Sequence, residues 1–515
     1  MKKKVYLRYM SNTNNQYIYD DASGNIFQWN NLYEEIINMY CEHNLTTITE
    51  NLLGKYNIDE IQEAYKFLNY WINKYHAFYR DDKNYNFDEI ETEDKLYDLM
   101  KKVNTTLLIS LTDQCNLRCR YCIYSEEYEY TKEKSNKYLD MSTANKIVKF
   151  YLGFIKEAIE QNPTRIYNIS FYGGEPLLNL KVMLKIIDSF NKVYPRRFQY
   201  NVTTNGLGLT LDVCKELEKR HVNILVSLDG PKEENDRLRI DLKKKGSFDR
   251  IINNLKIIKN ALPDYYASKM GIAAVYDYRT NIIRTNQYFG EECGSKKLPP
   301  IKIVNRVSDI NTNYYSKFSK EEKKTYFNQL NELKKEYVKG ILNNRANNSY
   351  LNSLFSMNYM MIMLRKRAYD LLPADIPIGG SCFPGQKLFI ETDGKFNICE
   401  RVNGSHSFGN VDEGINMQKV AEILLTYKKE ILRNCVSCPI TKICPYCFMN
   451  FEQESDFQYD SLKCKNMIEK VKNNLCEYSS LLEIKPDIKF VSNLENILRD
   501  EFINIGNCET RGARS

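Results

Sequence analysis

The sequence predicts an α/β protein built on a partial (β/α)6 barrel, preceded by a winged-helix-like module and followed by a cysteine-rich domain. Three observations predict it. From Asn104 onward short apolar strands alternate with helical patterns; ahead of that point strands are followed by three helices; and from Ile376 cysteine and glycine become dense. At 515 residues the chain is also too long for a single core.

The front module, residues 1–95, opens with strands near 5–9, 16–19 and 26–29, the last two joined by the hairpin signal Ala22-Ser23-Gly24-Asn25. Helical patterns follow at 32–39, 46–53 and 58–75, and the acidic stretch 81–94 marks a boundary. In the barrel, 100–310, strands are expected at 105–111, 166–171, 198–203, 222–227, 268–275 and 300–306. Helices lie between them near 142–161, 179–194, 211–220, 247–261 and 280–289. Six strands fall short of the closed eight-stranded form, leaving the barrel open to a large substrate. Within 311–375 the stretches 330–342 and 351–364 read as bridging helices. The cysteine-rich domain, 376–480, carries a hairpin, 388–392 and 395–399, turned at Asp393-Gly394. The segment 481–515 holds one helical pattern at 493–502 and a tail from Cys508 to Ser515.

Composition excludes several classes of function. No run of about 18 apolar residues occurs, and the basic start Met1-Lys2-Lys3-Lys4 leads into an alternating pattern, so neither a membrane span nor a secretory signal is expected. The chain is expected to be cytoplasmic, with no membrane partner. Its net charge of +7 comes from 73 basic and 66 acidic residues interleaved along helices, which reads as a solvated surface and not as a nucleic-acid stripe. Only four histidines are present, so chemistry built on several of them is not expected. Fifteen cysteines in a chain without an export signal point to metal, because a reducing cytosol disfavours disulfides.

Three of the cysteines follow the first barrel strand, in Cys115-Asn116-Leu117-Arg118-Cys119-Arg120-Tyr121-Cys122. The C-x3-C-x2-C spacing wraps one loop around a compact inorganic core and supplies one ligand fewer than a saturated four-iron cubane needs. An open coordination position is the mark of a catalytic centre. This loop resembles that of the radical S-adenosylmethionine (radical SAM) enzymes. The resemblance implies a [4Fe-4S] cluster on Cys115, Cys119 and Cys122, S-adenosylmethionine chelated by its open iron, and hydrogen abstraction from substrate by a 5′-deoxyadenosyl radical. It extends to Tyr121 before the last cysteine and to Tyr172-Gly173-Gly174-Glu175-Pro176 after the second strand. Gly173, Gly174 and Glu175 would meet the cofactor's ammonium, with glycine allowing close backbone approach. Thr204 and Asn205 end the third strand; Ser227 and Asp229, ending the fourth, would contact the ribose; and Arg239 would pair with the cofactor's carboxylate.

The second series is Cys382, Cys399, Cys435, Cys438, Cys444, Cys447 and Cys464. Its C-x2-C-x5-C core resembles the auxiliary-cluster (SPASM) domain of peptide-modifying members of the family, although Cys444-x2-Cys447 is one residue shorter than the usual spacing. Zinc is the competing reading, but zinc ribbons separate their knuckles by roughly 15 to 20 residues. Here five residues lie between Cys438 and Cys444, and Cys382, Cys399 and Cys464 would need another explanation. Following the family pattern, Cys435, Cys438, Cys444 and Cys464 would close one auxiliary [4Fe-4S] cluster, for three clusters in all. Cys382, Cys399 and Cys447 would hold the other, which either keeps an open iron or borrows Cys476, Cys293 or Cys508.

An open auxiliary iron could seat a substrate thiolate beside a carbon radical, from which thioether formation follows. The front module looks like the leader-binding element of enzymes that mature ribosomally made peptides, where a leader adds a strand to a sheet edge. The resemblance thus implies a precursor peptide with a leader, an external electron donor of the flavodoxin or ferredoxin kind, and a thioether-forming maturase of the sactipeptide or ranthipeptide type. Epimerisation, carbon–carbon cross-linking and sulfatase-type oxidation of cysteine or serine are the alternatives.

Overall fold

The computed structural model describes residues 2–125, 128, 135–365, 384–402, 404–454, 456–488 and 490. Cys382, the helical pattern at 493–502 and the tail from Cys508 lie outside the described residues. No described helix is long and apolar enough to cross a membrane.

At the front, Tyr6–Met10, Gln16–Asp20 and Asn25–Gln28 form an antiparallel meander with Gln16–Asp20 in the middle. Gly24 takes φ +75° in the second turn, and the Asp20 carboxylate accepts from the backbone of Ala22 and Ser23 to hold that turn closed. Helices Asn31–Met39, Leu45–Leu52 and Ile58–Tyr75 follow, each started by an asparagine whose side chain accepts from a first-turn N–H. Ile18, Phe27, Trp29, Ile36, Ile48, Ile61, Leu68 and Phe78 fill the space between sheet and helices. The acidic stretch after this module is a strap and not a bare linker, because Tyr85 and Phe87 are buried against Val436 far along the chain.

Six parallel strands then build the core in sequence order, Thr106–Ser110, Tyr167–Tyr172, Phe198–Thr204, Asn223–Ser227, Met270–Tyr276 and Ile301–Arg306. Helices Met141–Gln161, Leu180–Val193, Leu211–Glu218, Phe248–Ala261 and Ile282–Gly294 are the crossovers. Adjacent order with helical connections brings all the strand C-termini to one end, where the loops can form a site.

The cysteine-rich region is joined to the core sheet. Its hairpin is present, with Phe389 opposite Asn397 and Gly394 at φ +87°, but strand Lys387–Ile390 also pairs in parallel with Thr106–Ser110. Leu388, Phe389 and Ile390 are all buried, as expected of a strand covered on both faces. The result is an eight-stranded, mostly parallel open sheet, seeded by the barrel and extended by the later domain. Helices Lys320–Leu342 and Ser349–Met363 bridge the two, and helix Ser461–Ile484 returns to pack on the front strand Tyr6–Met10.

Candidate active site

The loop that carries the first three cysteines is held from below by the segment after the fourth strand. Arg118 and Arg120 donate from their backbone N–H groups to the carbonyls of Ile240 and Leu238 at 2.6 and 2.9 Å. The Arg118 side chain donates to the Cys115 carbonyl at 2.6 Å, closing the first turn of the loop. Cys115 Sγ accepts from Leu117 N at 3.3 Å and from Asn205 Nδ2 at 3.6 Å, contacts that favour a charged sulfur. Cys115, Cys119 and Cys122 lie near enough for each charge to bear on the others. Burial pushes the Cys119 thiol up to about 12, opposed by the Arg239 cation beside it. Charge on these half-buried sulfurs must therefore be compensated, and the donor set suits thiolates shared by a metal core.

The Gly-Gly-Glu turn is packed directly against the loop that leads into Cys115. Gly174 N and Glu175 N donate to the carbonyls of Thr112 and Gln114 at 2.7 and 2.8 Å. A β-carbon on Gly173 would collide with the Thr112 carbonyl, and one on Gly174 with the Gln114 carbonyl. The close approach these glycines permit is thus to the loop leading into Cys115. Glu175, 1% exposed, accepts from Thr204 Oγ1 and Asn205 N at 2.7 Å each, and from Leu177 N at 3.1 Å. Burial raises its carboxyl above the usual range, and those three bonds pull against it.

Arg239 stands at the end of a buried relay. Its Nη1 donates to the Tyr121 hydroxyl at 2.7 Å, which donates to Asp229 Oδ2 at 2.8 Å, while Val275 N holds the other carboxylate oxygen at 3.0 Å. Arg239 is 5% exposed and its Nε has no hydrogen-bond partner among the described residues. A fixed cation with an unused buried donor on a pocket wall fits a carboxylate ligand.

One cavity at the strand C-termini gathers most of the expected residues: Cys115, Cys119, Tyr121, Cys122, Gly173, Gly174, Glu175, Thr204, Asn205, Ser227 and Arg239. Asp229 does not line it and instead sits behind, holding Tyr121. The cavity is lined as well by Tyr172 of the glycine-turn motif and by residues not singled out from sequence, Tyr124, Arg306, Arg401 and Met449. Arg306 ends the sixth strand, a position that the strand-end rule could have flagged; its guanidinium lies over Tyr278 and Tyr315. Arg401 and Met449 come from the cysteine-rich region, whose seating over this cavity no local pattern reveals.

The later cysteines divide in space. Cys435, Cys438, Cys444 and Cys464 bear on one another electrostatically, and burial pushes Cys435 and Cys444 up to about 12. Cys447 is a neighbour of Cys444. Cys399 instead lies toward the barrel, where it and Cys122 both act on the Tyr172 phenol. Among the described residues no three acidic, histidine or cysteine side chains close around one point as a single bound ion requires. The four-cysteine group is an electrostatic neighbourhood whose donor set suits a larger thiolate-held core.

Residues 109–278 match the model of the Radical SAM superfamily. A cysteine-type anaerobic sulfatase-maturating enzyme of Clostridium novyi (strain NT) is 27% identical over 313 residues, covering 60% of this chain and 76% of the relative. The radical SAM cyclopropyl synthase TigE of Paramaledivibacter caminithermalis is 22% identical over 377 residues, covering 71% of this chain and 70% of its own. Among solved structures, tagged anSMEcpe with bound AdoMet shares the fold, with a TM-score of 0.56 at 20% identity over 77% of this chain and 98% of that one. The family match runs from the end of the first core strand through the fifth and takes in the loops bearing Cys115, Cys119, Cys122, the glycine turn and Arg239, and over that region this chain carries a radical SAM domain.

Proposed function

We propose that this enzyme matures a ribosomally made precursor peptide by joining a substrate cysteine sulfur to a carbon of another residue. The observation that carries the reading is that the first cysteine loop and the later cysteine-rich region share one cavity, with the Tyr172 phenol within electrostatic reach of both Cys122 and Cys399. When bound, a [4Fe-4S] cluster on Cys115, Cys119 and Cys122 with S-adenosylmethionine supplies hydrogen-atom abstraction, and auxiliary clusters on the later cysteines supply an acceptor for the surplus electron.

The chain's own residues prepare that chemistry. Arg239, aimed by Tyr121 and Asp229, would hold the cofactor's carboxylate, and Ser227 would meet its ribose. Glu175 clamps the third strand end through Thr204 and Asn205, and Asn205 in turn reaches Asn116 and the Cys115 sulfur. Tyr124 and Tyr172, both half-buried and lining the cavity, would help exclude water from a reactive carbon centre. The front meander, with its outer strand Asn25–Gln28, would take the leader by strand addition. An external flavodoxin- or ferredoxin-like donor would supply the electron, in the cytoplasm.

Thioether formation removes two hydrogens from the peptide, one as an atom and the other as a proton with its electron passed on. The test is anaerobic reaction with candidate cysteine-containing precursor peptides, followed by mass spectrometry and thiol alkylation. A product lighter by two hydrogens with no alkylatable thiol supports the reading. The same mass with a free thiol indicates a carbon–carbon link, and unchanged mass indicates epimerisation. The sulfatase-maturating relative favours a second reading, oxidation of a cysteine or serine, in which a cysteine substrate loses its sulfur altogether.

A further inference from the structure

The stretch between Cys438 and Cys444 is gripped by the front module, more than 350 residues earlier in the chain. Asp21 and Arg80 form an ion pair whose side chains are 0% and 3% exposed. Arg80 Nη2 also donates to Thr441 Oγ1 at 2.9 Å, and Nη1 to the Cys438 carbonyl at 3.3 Å. Asp21 takes the Thr441 hydroxyl at 2.5 Å and the Lys442 backbone N–H at 3.0 Å. The Lys442 ammonium reaches back to the Ala22 carbonyl at 2.6 Å. Around this polar knot, Tyr9, Tyr19, Ile440, Ile443 and Leu475 share one apolar core, against which Cys438 and Cys444 pack.

A buried ion pair is a poor way to gain stability, since apolar residues of the same volume hold a fold as well or better. What it does supply is a fixed charge and a fixed geometry. Both act here on the segment carrying two thiols. The Arg80 cation offsets negative charge on Cys435, against the Asp21 carboxylate, which acts in the opposite sense on Cys435, Cys438 and Cys444, and its hydrogen bond to the Cys438 carbonyl sets the direction of that turn. Partners that orient metal ligands in this way matter nearly as much as the ligands themselves.

We propose that Asp21 and Arg80 are positioning residues for the iron–sulfur group carried by Cys435, Cys438, Cys444 and Cys464, so that the front module completes the second cysteine site. This rests on the reading of that series as auxiliary-cluster ligands. The module is then part of the redox machinery as well as a site for peptide, and whatever binds it acts on the same turn.

The test uses the full chain carrying Cys115→Ala, Cys119→Ala and Cys122→Ala, purified anaerobically, so that only auxiliary iron is present. Iron and sulfide are assayed, and the midpoint potential is followed by electron paramagnetic resonance. Arg80→Met is expected either to lose one cluster's iron, about four atoms per chain, or to keep it with a potential shifted to more negative values. Arg80→Lys, which retains the charge, is expected to recover the potential. Arg80→Met with parental iron content and potential would overturn the proposal, as would the same losses in Arg237→Met, which breaks a buried ion pair remote from these cysteines. If Arg80→Met does not fold, Thr441→Val is read in its place: altered iron content or spectrum supports the proposal, and parental values overturn it. A parent chain without iron and sulfide overturns the cluster reading instead.

Discussion

Gly174 shows how much one missing β-carbon decides in this site. Its backbone sits against the carbonyl of Gln114, so Gly174→Ala must push the strand-end turn away from the loop into Cys115. Forcing an extra carbon into a packed contact costs about 1–3 kcal/mol. The expected outcome is a lower melting temperature and loss of iron from the first cysteine site, measured by thermal unfolding and iron assay. Asp277 makes a different prediction. Burial raises its carboxyl, but the Arg237 fork, bonded at 2.9 Å through both oxygens, with Tyr314 and Arg279 N, outweighs burial and leaves it below the usual range. A carboxyl depressed in the folded state adds stability above its unfolded value, near 3.8, that disappears as pH falls through the folded value. Asp277→Asn should therefore cost about 3 kcal/mol near neutral pH, since it strands the Arg237 cation. In urea unfolding followed against pH, the gap between parent and variant should narrow below pH ~4. At this scale the sequence was readable where chemistry demands one residue type, as for the three thiols, the glycines and Arg239. It was silent on Arg306, Arg401 and Tyr124, because an arginine or tyrosine acquires meaning only from the wall it faces.

Among the elements, strands and helices of the core were legible because each buries a periodic face against its sequence neighbour. The partner of strand Lys387–Ile390 was not. Its apolar run and turn identify a hairpin, but nothing local says that its far edge pairs with Thr106–Ser110, some 280 residues earlier. The consequence is mechanical: the strand that leads into the first cysteine loop is flanked on one side by the later domain. Leu388 is fully buried at that seam, opposite Leu107. Leu388→Ala should cost about 2–5 kcal/mol. Because the seam supports both cysteine series, iron should fall along with the melting temperature, whereas a substitution of equal cost in the front-module core, such as Ile48→Ala, should leave the first site's iron in place. Equal iron loss in both would show general instability and remove the special role given to the seam.

For the whole molecule, the front module turns out to be joined to the rest by more than sequence. Tyr9 bonds Ser479 at 2.8 Å, Asn12 N bonds Ser480 at 2.8 Å, and Tyr17 bonds Glu483 at 2.7 Å, all on helix Ser461–Ile484. Deleting residues 1–95 to test leader capture would strip these bonds together with Asp21 and Arg80 and expose the apolar seam around Ile440 and Ile443. Such a chain should lose auxiliary iron and aggregate, so its peptide affinity would say little about the leader. The meander offers a cleaner reading. Helix Ser461–Ile484 packs on the face of the meander that carries Tyr9, Tyr17 and Tyr19, and among the described residues no strand pairs with the outer edge of either Tyr6–Met10 or Asn25–Gln28. A leader added as a fourth strand beside Asn25–Gln28, the edge proposed for it, would take its main-chain bonds there, and amide hydrogens held in a new ladder exchange more slowly. Hydrogen exchange of the intact chain with and without its precursor peptide should show several-fold slower exchange at Asn25–Gln28, with Tyr6–Met10 little changed. Slowing confined to the barrel, or none at saturating peptide, would assign the leader to another surface and leave the front module with its role beside the second cysteine site.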